Sequence, residues 1–249
     1  AKALFVQPAA GDSGGALGTA FYIYNTVLKR PREFRMDHAL WGPQFSDTEI
    51  KTVLDRAEAV YELLDDETEL LERTARMIAE GVVVGWFQGR LEFGPRALGA
   101  RSLLADPRNP KMKDIINAKV KFREAFRPFA PAVLREHVHE YFEVPVGMNM
   151  PFMLLVPKVR PDKRAILPAI THQDGTGRVQ TVTEAVNGRY YRLIRAFHRL
   201  TGVPVVVNTS FNVRGEPIVC TPQDEYRTFV NTGIDALVIG NFVVTQKTS

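Results

Sequence analysis

The sequence is poor in the residues that build disulfide frameworks and zinc sites. Among 249 residues there are five histidines and one cysteine, Cys220. A single cysteine excludes an internal disulfide framework and is typical of a cytoplasmic protein, and we expect Cys220 to be a small core residue. His137 and His139 lack the i, i+4 spacing of two ligands on one helical face, so we expect them at the surface and expect no structural zinc site.

Long apolar runs are also absent. The apolar tracts at 151–156 and 203–207 are strand-sized, whereas a membrane-spanning helix needs roughly 20 residues. No segment resembles a signal peptide. The chain begins at Ala1 rather than Met, and strand-like residues 4–6 follow at once. We therefore expect the carboxyl-terminal part of a longer protein.

What the chain has is a globular composition and a strongly basic segment. It is 45% hydrophobic and 24% charged, which predicts a sizeable core. Residues 96–127 carry nine Lys/Arg against three acidic residues, a net +6 where the whole chain has +4. Such a patch favours an anionic ligand such as phosphate, nucleotide or nucleic acid, and a solvated charged face is the alternative.

The pattern of apolar residues predicts a mixed α/β fold. The expected helices begin near residue 16, at the capping box Ser46–Glu49, in the acidic run 65–69, at Asn109–Pro110, at 184 and at 221. The second of these is expected to continue through residue 64. The expected strands are 3–6, a hairpin of 82–87 with 90–93, 203–207, and a last strand over 236–244.

A sharp turn after the predicted strand 82–87 presents an arginine. Gly94 and Pro95 make the turn, and Arg96 follows them. Arg96 is either an incidental surface charge or is directed at an anion.

The segment 119–123, Lys-Val-Lys-Phe-Arg, alternates cations with apolar residues. If it is extended, Val120 and Phe122 face the core while Lys119, Lys121 and Arg123 line up together. Three cations on one face repel one another unless an anion lies among them. The alternative is an edge strand protected by lysines.

Polar groups follow the buried strand and fill one loop. Residues 208–212, Asn-Thr-Ser-Phe-Asn, come where open α/β sheets bind ligands, although the same residue types make ordinary turns. The glycine-punctuated loop 171–180 is long enough to fold over a ligand. In it Arg178 is the most informative residue, and His172 and Asp174 are either polar contacts or partners within the loop.

A glycine-rich turn at 11–15 contains Asp12. It matches neither the dinucleotide fingerprint nor the Walker A sequence. A carboxylate at a helix amino terminus repels phosphate, so Asp12 is either a helix cap or a metal ligand that bridges to phosphate.

Four stretches together resemble one family: GRLEFGPRALGARSLLADPR, KFREAFRPFAP, the loop 172–180 and NTSFN. They are similar to the carboxyl-terminal region of O-carbamoyltransferases of the NodU/CmcH type, which includes the tobramycin enzyme, over residues 81–249. Residues 1–28 resemble the end of the family's first domain, an actin-like ATPase/sugar-kinase fold. The resemblance implies a remnant of that domain at 1–45, a helical linker at 46–80, and a YrdC-like domain at 81–249.

The activity implied by the resemblance is ATP-dependent O-carbamoyl transfer. The YrdC-like domain is expected to make carbamoyl-adenylate from ATP, with Mg²⁺, and carbamoyl phosphate. The carbamoyl group then passes to a hydroxyl of an acceptor such as an antibiotic or oligosaccharide. The family's histidine-rich metal site and acceptor pocket precede residue 1, so we expect the activation half without the transfer half. The implied partners are the amino-terminal domain and a second copy of the chain in a homodimer. The amino-terminal domain is expected to share a divalent metal, iron, with this region. No membrane or nucleic acid is expected.

The resemblance also assigns roles to individual residues. The expected catalytic residues are Lys121, Arg96 and Arg127, and Asp12 is the expected metal ligand. The expected substrate- and nucleotide-binding residues are Arg123, Arg178, His172, Asn208, Ser210 and Asn212. The alternative is a nucleotide- or RNA-binding YrdC-like module of a tRNA-modification protein without independent turnover. Against RNA, the basic patch offers few aromatic residues for base stacking, because we expect Phe122 and Phe126 in the core.

Overall fold

Eight strands form one mixed sheet in the computed structural model, which describes residues 5–124 and 126–245. The strand order is β1-β8-β7-β2-β3-β6-β4-β5. The pairs β2–β7 and β4–β5 are parallel and the other neighbours are antiparallel. The strands are β1 Tyr61–Leu63, β2 Val84–Phe87, β3 Arg101–Ala105, β4 Ala130–Leu134, β5 Gln180–Val182, β6 Val205–Ser210, β7 Ala236–Ile239 and β8 Phe242–Thr245. The mixed α/β architecture agrees with the prediction.

Among the described residues, seven α-helices accompany the sheet. They are α1 Ser13–Phe21, α2 Asp47–Arg56, α3 Glu67–Ala79, α4 Met112–Ile116, α5 Val138–Tyr141, α6 Glu184–Thr201 and α7 Pro222–Val230. Short 3₁₀ turns lie at Arg135–His137 and Pro161–Lys163, and π-helical segments at Tyr22–Val27 and Asn117–Lys121. The predicted capping box opens α2, where Ser46 and Glu49 bond reciprocally. Gly202, with φ +73°, ends α6 in the left-handed conformation that glycine adopts without strain.

The core lies on both sides of the central strands. Every residue of β2, β3, β4 and β7 is buried, which is typical of strands covered on both faces. Helices α3 and α6 pack against each other and against the sheet, and α7 packs on β2 and β7. This arrangement fixes the ends of β3, β4 and β6, where the basic segment meets the sheet.

The segment 46–80, predicted to be a helical linker, is built into this sheet and core. Its strand β1 pairs with β8, and Leu54 and Leu70 are fully buried in the main core. The predicted helix from Ser46 to residue 64 is wrong beyond Arg56, because the chain turns at Glu58 (φ +50°) and enters β1.

Two strand predictions also need correction. Strand β2 forms its hairpin with β3 at 101–105, not with 90–93, and Glu92 makes an isolated bridge to Leu40. The last strand is two strands, β7 and β8, which turn at Gly240 (φ +56°) and pair with each other. The strand predicted at 3–6 falls partly outside the described residues, and residues 5–7 have no regular structure.

Within the described part of the chain, none of the helices combines the length and the apolar character that crossing a membrane requires.

Candidate active site

Residues 119–121 are helical, so the predicted extended strand 119–123 with three aligned cations is wrong. Residues 117–121 form a π-helical turn, and Phe122 leaves it in the left-handed conformation (φ +45°). The turn directs the two lysines differently. Lys119 is on the surface, where it pairs with Asp235, while Lys121 is buried. Phe122 is 54% exposed instead of lying in the core.

Three arginines converge on one small cleft of about 80 Å³ at the end of β6. Arg96 comes from the turn after β2, Arg123 from the end of the π-helical turn, and Arg178 from the segment before β5. The last three residues of β6, Asn208, Thr209 and Ser210, complete the polar lining. Residues predicted from separate motifs are therefore brought together by the fold.

Burial, together with repulsion from neighbouring arginines, lowers the pKa of two of these residues. Burial, and then the neighbouring Arg96 and Arg123, lower the pKa of Arg178 to about 10. Burial and Arg127 also lower the pKa of Arg123. The Arg123 guanidinium lies 4.8 Å from the centre of the Phe129 ring, and its Nε donates to Asn117 Oδ1 at 2.8 Å. A negatively charged group in the cleft would relieve the repulsion and satisfy the guanidinium donors.

Lys121 lies behind Ser210, and its ammonium is held by oxygens of the 210–212 segment. Its Nζ donates to the Ser210 carbonyl, to Asn212 Oδ1 at 2.7 Å and to the Asn212 carbonyl at 3.0 Å. Burial, followed by repulsion from Arg123, lowers the pKa of Lys121 to about 7. The pKa of Lys121 is thus close to neutral pH, and an anion in the adjacent cleft would favour the charged form of the lysine.

A second hollow adjoins the cleft. It has a volume of about 230 Å³ and shares Pro128 with the arginine cleft. His172 and Phe126 line it, and burial lowers the pKa of His172. Phe126 is 75% exposed, which contradicts its predicted place in the core.

The comparisons with known proteins agree with the resemblance seen in the sequence. A family model described as "Carbamoyltransferase C-terminus" matches residues 75–246. The chain belongs to this family. Nodulation protein NolNO of Sinorhizobium fredii is 47% identical over 251 residues, which cover 99% of this chain and 36% of that protein. The 3'-hydroxymethylcephem-O-carbamoyltransferase of Amycolatopsis lactamdurans is 37% identical over 240 residues, 96% of this chain and 43% of that protein. The chain thus spans less than half the length of each of these relatives.

Among solved structures, the crystal structure of P. abyssi Sua5 complexed with L-threonine has a TM-score of 0.50. It is 18% identical and covers 70% of this chain and 47% of that chain. At this identity the likeness shows the fold alone. The predicted YrdC-like sheet is confirmed.

Two further candidate residues, Arg127 and Asp12, are not brought into the cleft. Arg127 is exposed and lies beside Arg123 without lining the cleft. Asp12 is exposed at the start of α1, and its side chain makes no capping hydrogen bond there, so the cap interpretation is wrong. Among the described residues, no group of three His, Cys, Asp or Glu side chains could hold a metal ion.

The two asparagines predicted to bind substrate have mainly internal partners. Asn208 is fully buried, and its Nδ2 donates to the Ala97 carbonyl at 3.2 Å and to Gln180 Oε1 at 2.8 Å. Asn212 accepts from Lys121 and donates to the Glu216 carbonyl. Asn208 nevertheless lines the arginine cleft, whereas Asn212 does not. In the loop 171–180, Asp174 bonds to Thr176 within the loop.

Sequence reasoning missed three buried charged residues. Glu92, Arg101 and Glu225 are each at most 4% exposed. Arg101 donates to backbone carbonyls and stacks 3.4 Å from the centre of the Phe87 ring. Burial raises the pKa of Glu225 well above its ordinary value. Glu92 stands two residues before Gly94 in the same motif as Arg96, and an acidic residue so close to a predicted strand was the available signal.

Two minor predictions are corrected by burial. Cys220 has intermediate exposure rather than lying in the core. His137 and His139 are half-buried rather than at the surface. The His137 ring lies 4.8 Å from the His198 ring, centre to centre, and its Nδ1 pairs with Glu140 at 2.9 Å.

Proposed function

We propose that this region activates the carbamoyl group of an ATP-dependent O-carbamoyltransferase. The observation that carries the proposal is the convergence of Arg96, Arg123 and Arg178 on one cleft, with Lys121 directly behind it. Such donors suit the phosphate and carboxylate oxygens that meet when a carbamoyl-adenylate forms. Arg96 is thereby a phosphate-binding residue, and its position after the Gly94–Pro95 turn is functional.

The proposed reaction balances in two steps. Water cleaves carbamoyl phosphate to carbamate and inorganic phosphate. A carbamate oxygen then attacks the α-phosphorus of ATP, and the bond from that phosphorus to the α,β-bridging oxygen breaks. The products of the second step are carbamoyl-adenylate and pyrophosphate. The arginines stabilise charge that builds on the phosphoryl oxygens, and Mg²⁺ accompanies the ATP.

The remaining partners follow from the family. The name of the Amycolatopsis relative places a hydroxymethyl group among the acceptors, and we propose a small-molecule hydroxyl as acceptor for this protein too. Transfer would require the amino-terminal domain that the resemblance implies, of which 1–45 is the proposed remnant. A divalent metal at Asp12 would need ligands from outside the described residues, so no step is assigned to it. A homodimer and a cytoplasmic location stay predictions.

A second function, RNA binding without turnover, is favoured by one observation. Phe122 and Phe126 are exposed beside the cations of the basic segment, where aromatic rings can stack on bases. RNA binding of this kind weakens steeply as salt concentration rises.

Pyrophosphate release from ATP by the 249-residue chain, with and without carbamoyl phosphate, tests the proposal. Release that depends on carbamoyl phosphate, and that falls at least tenfold in Arg96→Ala with an unchanged circular dichroism spectrum, is expected. Release that does not respond to carbamoyl phosphate contradicts the activation step. Salt-sensitive RNA binding without release would support the second function instead.

A further inference from the structure

The backbone between Arg96 and β3 is held almost completely by buried side chains. Gly94 and Gly99 have φ values of +115° and +102°, so the chain turns sharply on both sides of Arg96. A side chain at Gly99 would lie 2.2 Å from the ring of Tyr190, so the second turn is packed as well as bent. The conformation of this loop sets where the Arg96 side chain starts.

Glu92 supplies the largest share of the loop's hydrogen bonds. One carboxylate oxygen, Oε1, accepts from the backbone N–H groups of Leu98 at 2.7 Å, Ala100 at 2.6 Å and Arg101 at 3.2 Å. Glu92 is 4% exposed, and its second oxygen has no hydrogen-bond partner among the described residues. Three N–H donors on one oxygen suit a full negative charge better than a neutral amide.

Other buried side chains hold the carbonyls of the same loop. Gln180 Nε2 donates to the Leu98 carbonyl at 2.8 Å, and Asn208 Nδ2 donates to the Ala97 carbonyl. The Gly99 carbonyl accepts from Trp86 Nε1 at 2.9 Å, and the Gly99 N–H donates to Ser102 Oγ at 3.1 Å. The loop is therefore fixed from strands β2, β3, β5 and β6, and of these β6 also lines the cleft.

We propose that Glu92 is a positioning residue for Arg96. It holds residues 98–101 so that Arg96 meets the anion without a cost of ordering the loop. This role rests on the proposed function, because it supposes that Arg96 binds an anion. The acidic residue of the motif thus acts on the anion through the backbone, although its own charge opposes anion binding.

Glu225 offers a matched control. It is also a fully buried glutamate that interacts with Arg101, and burial keeps it away from the ionised form. Its carboxyl group makes no hydrogen bond to the loop, because neither carboxyl oxygen has a partner among the described residues. Glu225→Gln thus makes the same residue exchange at a buried glutamate near Arg101 without removing a hydrogen-bond acceptor from the loop.

The test combines amide exchange with a double-mutant cycle on the 249-residue chain. In Glu92→Gln, the amides of Leu98, Ala100 and Arg101 are expected to exchange at least tenfold faster than in the unchanged chain, and in Glu225→Gln at the same rate. The Kd for pyrophosphate, measured by calorimetry, is expected to rise about tenfold in Glu92→Gln. In an Arg96→Ala background the same change should leave the Kd unaltered, because the residue through which Glu92 acts is gone.

Three outcomes would overturn the inference. Unchanged amide exchange in Glu92→Gln would show that the carboxylate does not hold the loop. An equal loss of affinity with and without Arg96 would show that Glu92 acts by another route. A loss of pyrophosphate affinity in Arg96→Ala without a loss in Glu92→Gln would overturn the positioning role alone. If the unchanged chain binds no pyrophosphate, the proposed function itself fails. Should Glu92→Gln not fold, Glu92→Asp keeps the charge beside Arg101 and shortens the reach, and the same measurements apply.

Discussion

Two π-helical segments in this molecule have opposite surroundings. The turn at Asn117–Lys121 buries Asn117, Val120 and Lys121 beside the arginine cleft. The turn at Tyr22–Val27 leaves every residue at least partly accessible, and Tyr22 is 61% exposed. π-helical turns are rare and occur often at functional sites. The first turn places Lys121 behind the arginine cleft, whereas the second leaves Tyr22, Ile23 and Tyr24 exposed.

The exposed region extends beyond the second turn. Residues from 5 to 36 line a hollow of about 700 Å³, and Phe34 and Trp41 are about half exposed beside it. Contiguous apolar surface of this kind marks an interaction site in soluble proteins. That residues 1–45 are the remnant of a preceding domain stays a prediction, whereas the arginine cleft is built from β6 and the connections around it.

Amide exchange should separate the two regions by the largest factor. In the isolated chain, amides of residues 13–27 should exchange on the order of 10³-fold faster than those of β6, because little apolar area is buried around them. Mass spectrometry after exchange in deuterated buffer checks this. Equal protection would mean that the amino-terminal segment is stable without a partner.

Lys121→Met should lower carbamoyl phosphate-dependent pyrophosphate release by about 10²–10³-fold, since it removes a buried cation and keeps the side-chain volume. The matched control is Lys119→Met, two residues away, whose ammonium pairs with Asp235 on the surface. Release in the control should stay within about twofold. Equal losses in both variants would contradict the distinction between the two lysines.

The affinity for an anion should depend on pH through Lys121. With a pKa of about 7, the free lysine is charged below pH 7 and neutral above it. An anion favours the charged form, so binding above pH 7 takes up a proton, and the Kd should rise up to about tenfold for each unit of pH. Comparison with Lys121→Met cancels the titration of the ligand. The same pH slope in both proteins would exclude Lys121 as the titrating group.

Cys220→Ala should have the smallest effect. The thiol is only partly buried and belongs to the connection before α7. Pyrophosphate release should stay within about twofold, and stability should change by less than about 1 kcal/mol. Complete loss of release in a folded variant would make the cysteine part of the site.

The sequence predicted the family and most of the cleft because the cations stand in long motifs around Arg96, Lys121 and Ser210. It failed on local geometry at 119–123, where alternation of polar and apolar residues suits both a strand and a π-helical turn. Glu58, Gly240 and Phe122 each have positive φ, and such turns end elements that periodicity alone continues. Burial of Arg101 follows from tertiary packing, whereas Glu92 left a local signal in its position beside a predicted strand.

The central strand β2 pairs with β7, about 150 residues further along the chain, and Gln88 Nε2 donates to the Gly240 carbonyl across this distance. During synthesis one edge of Val84–Phe87 therefore stays unpaired until residues 236–239 have emerged. Pairings of such long sequence separation form slowly, and an apolar strand with a free edge invites aggregation. The nascent chain is most prone to aggregation between the synthesis of β2 and the synthesis of β7. A chain that ends before residue 236 leaves that edge of β2 permanently unpaired.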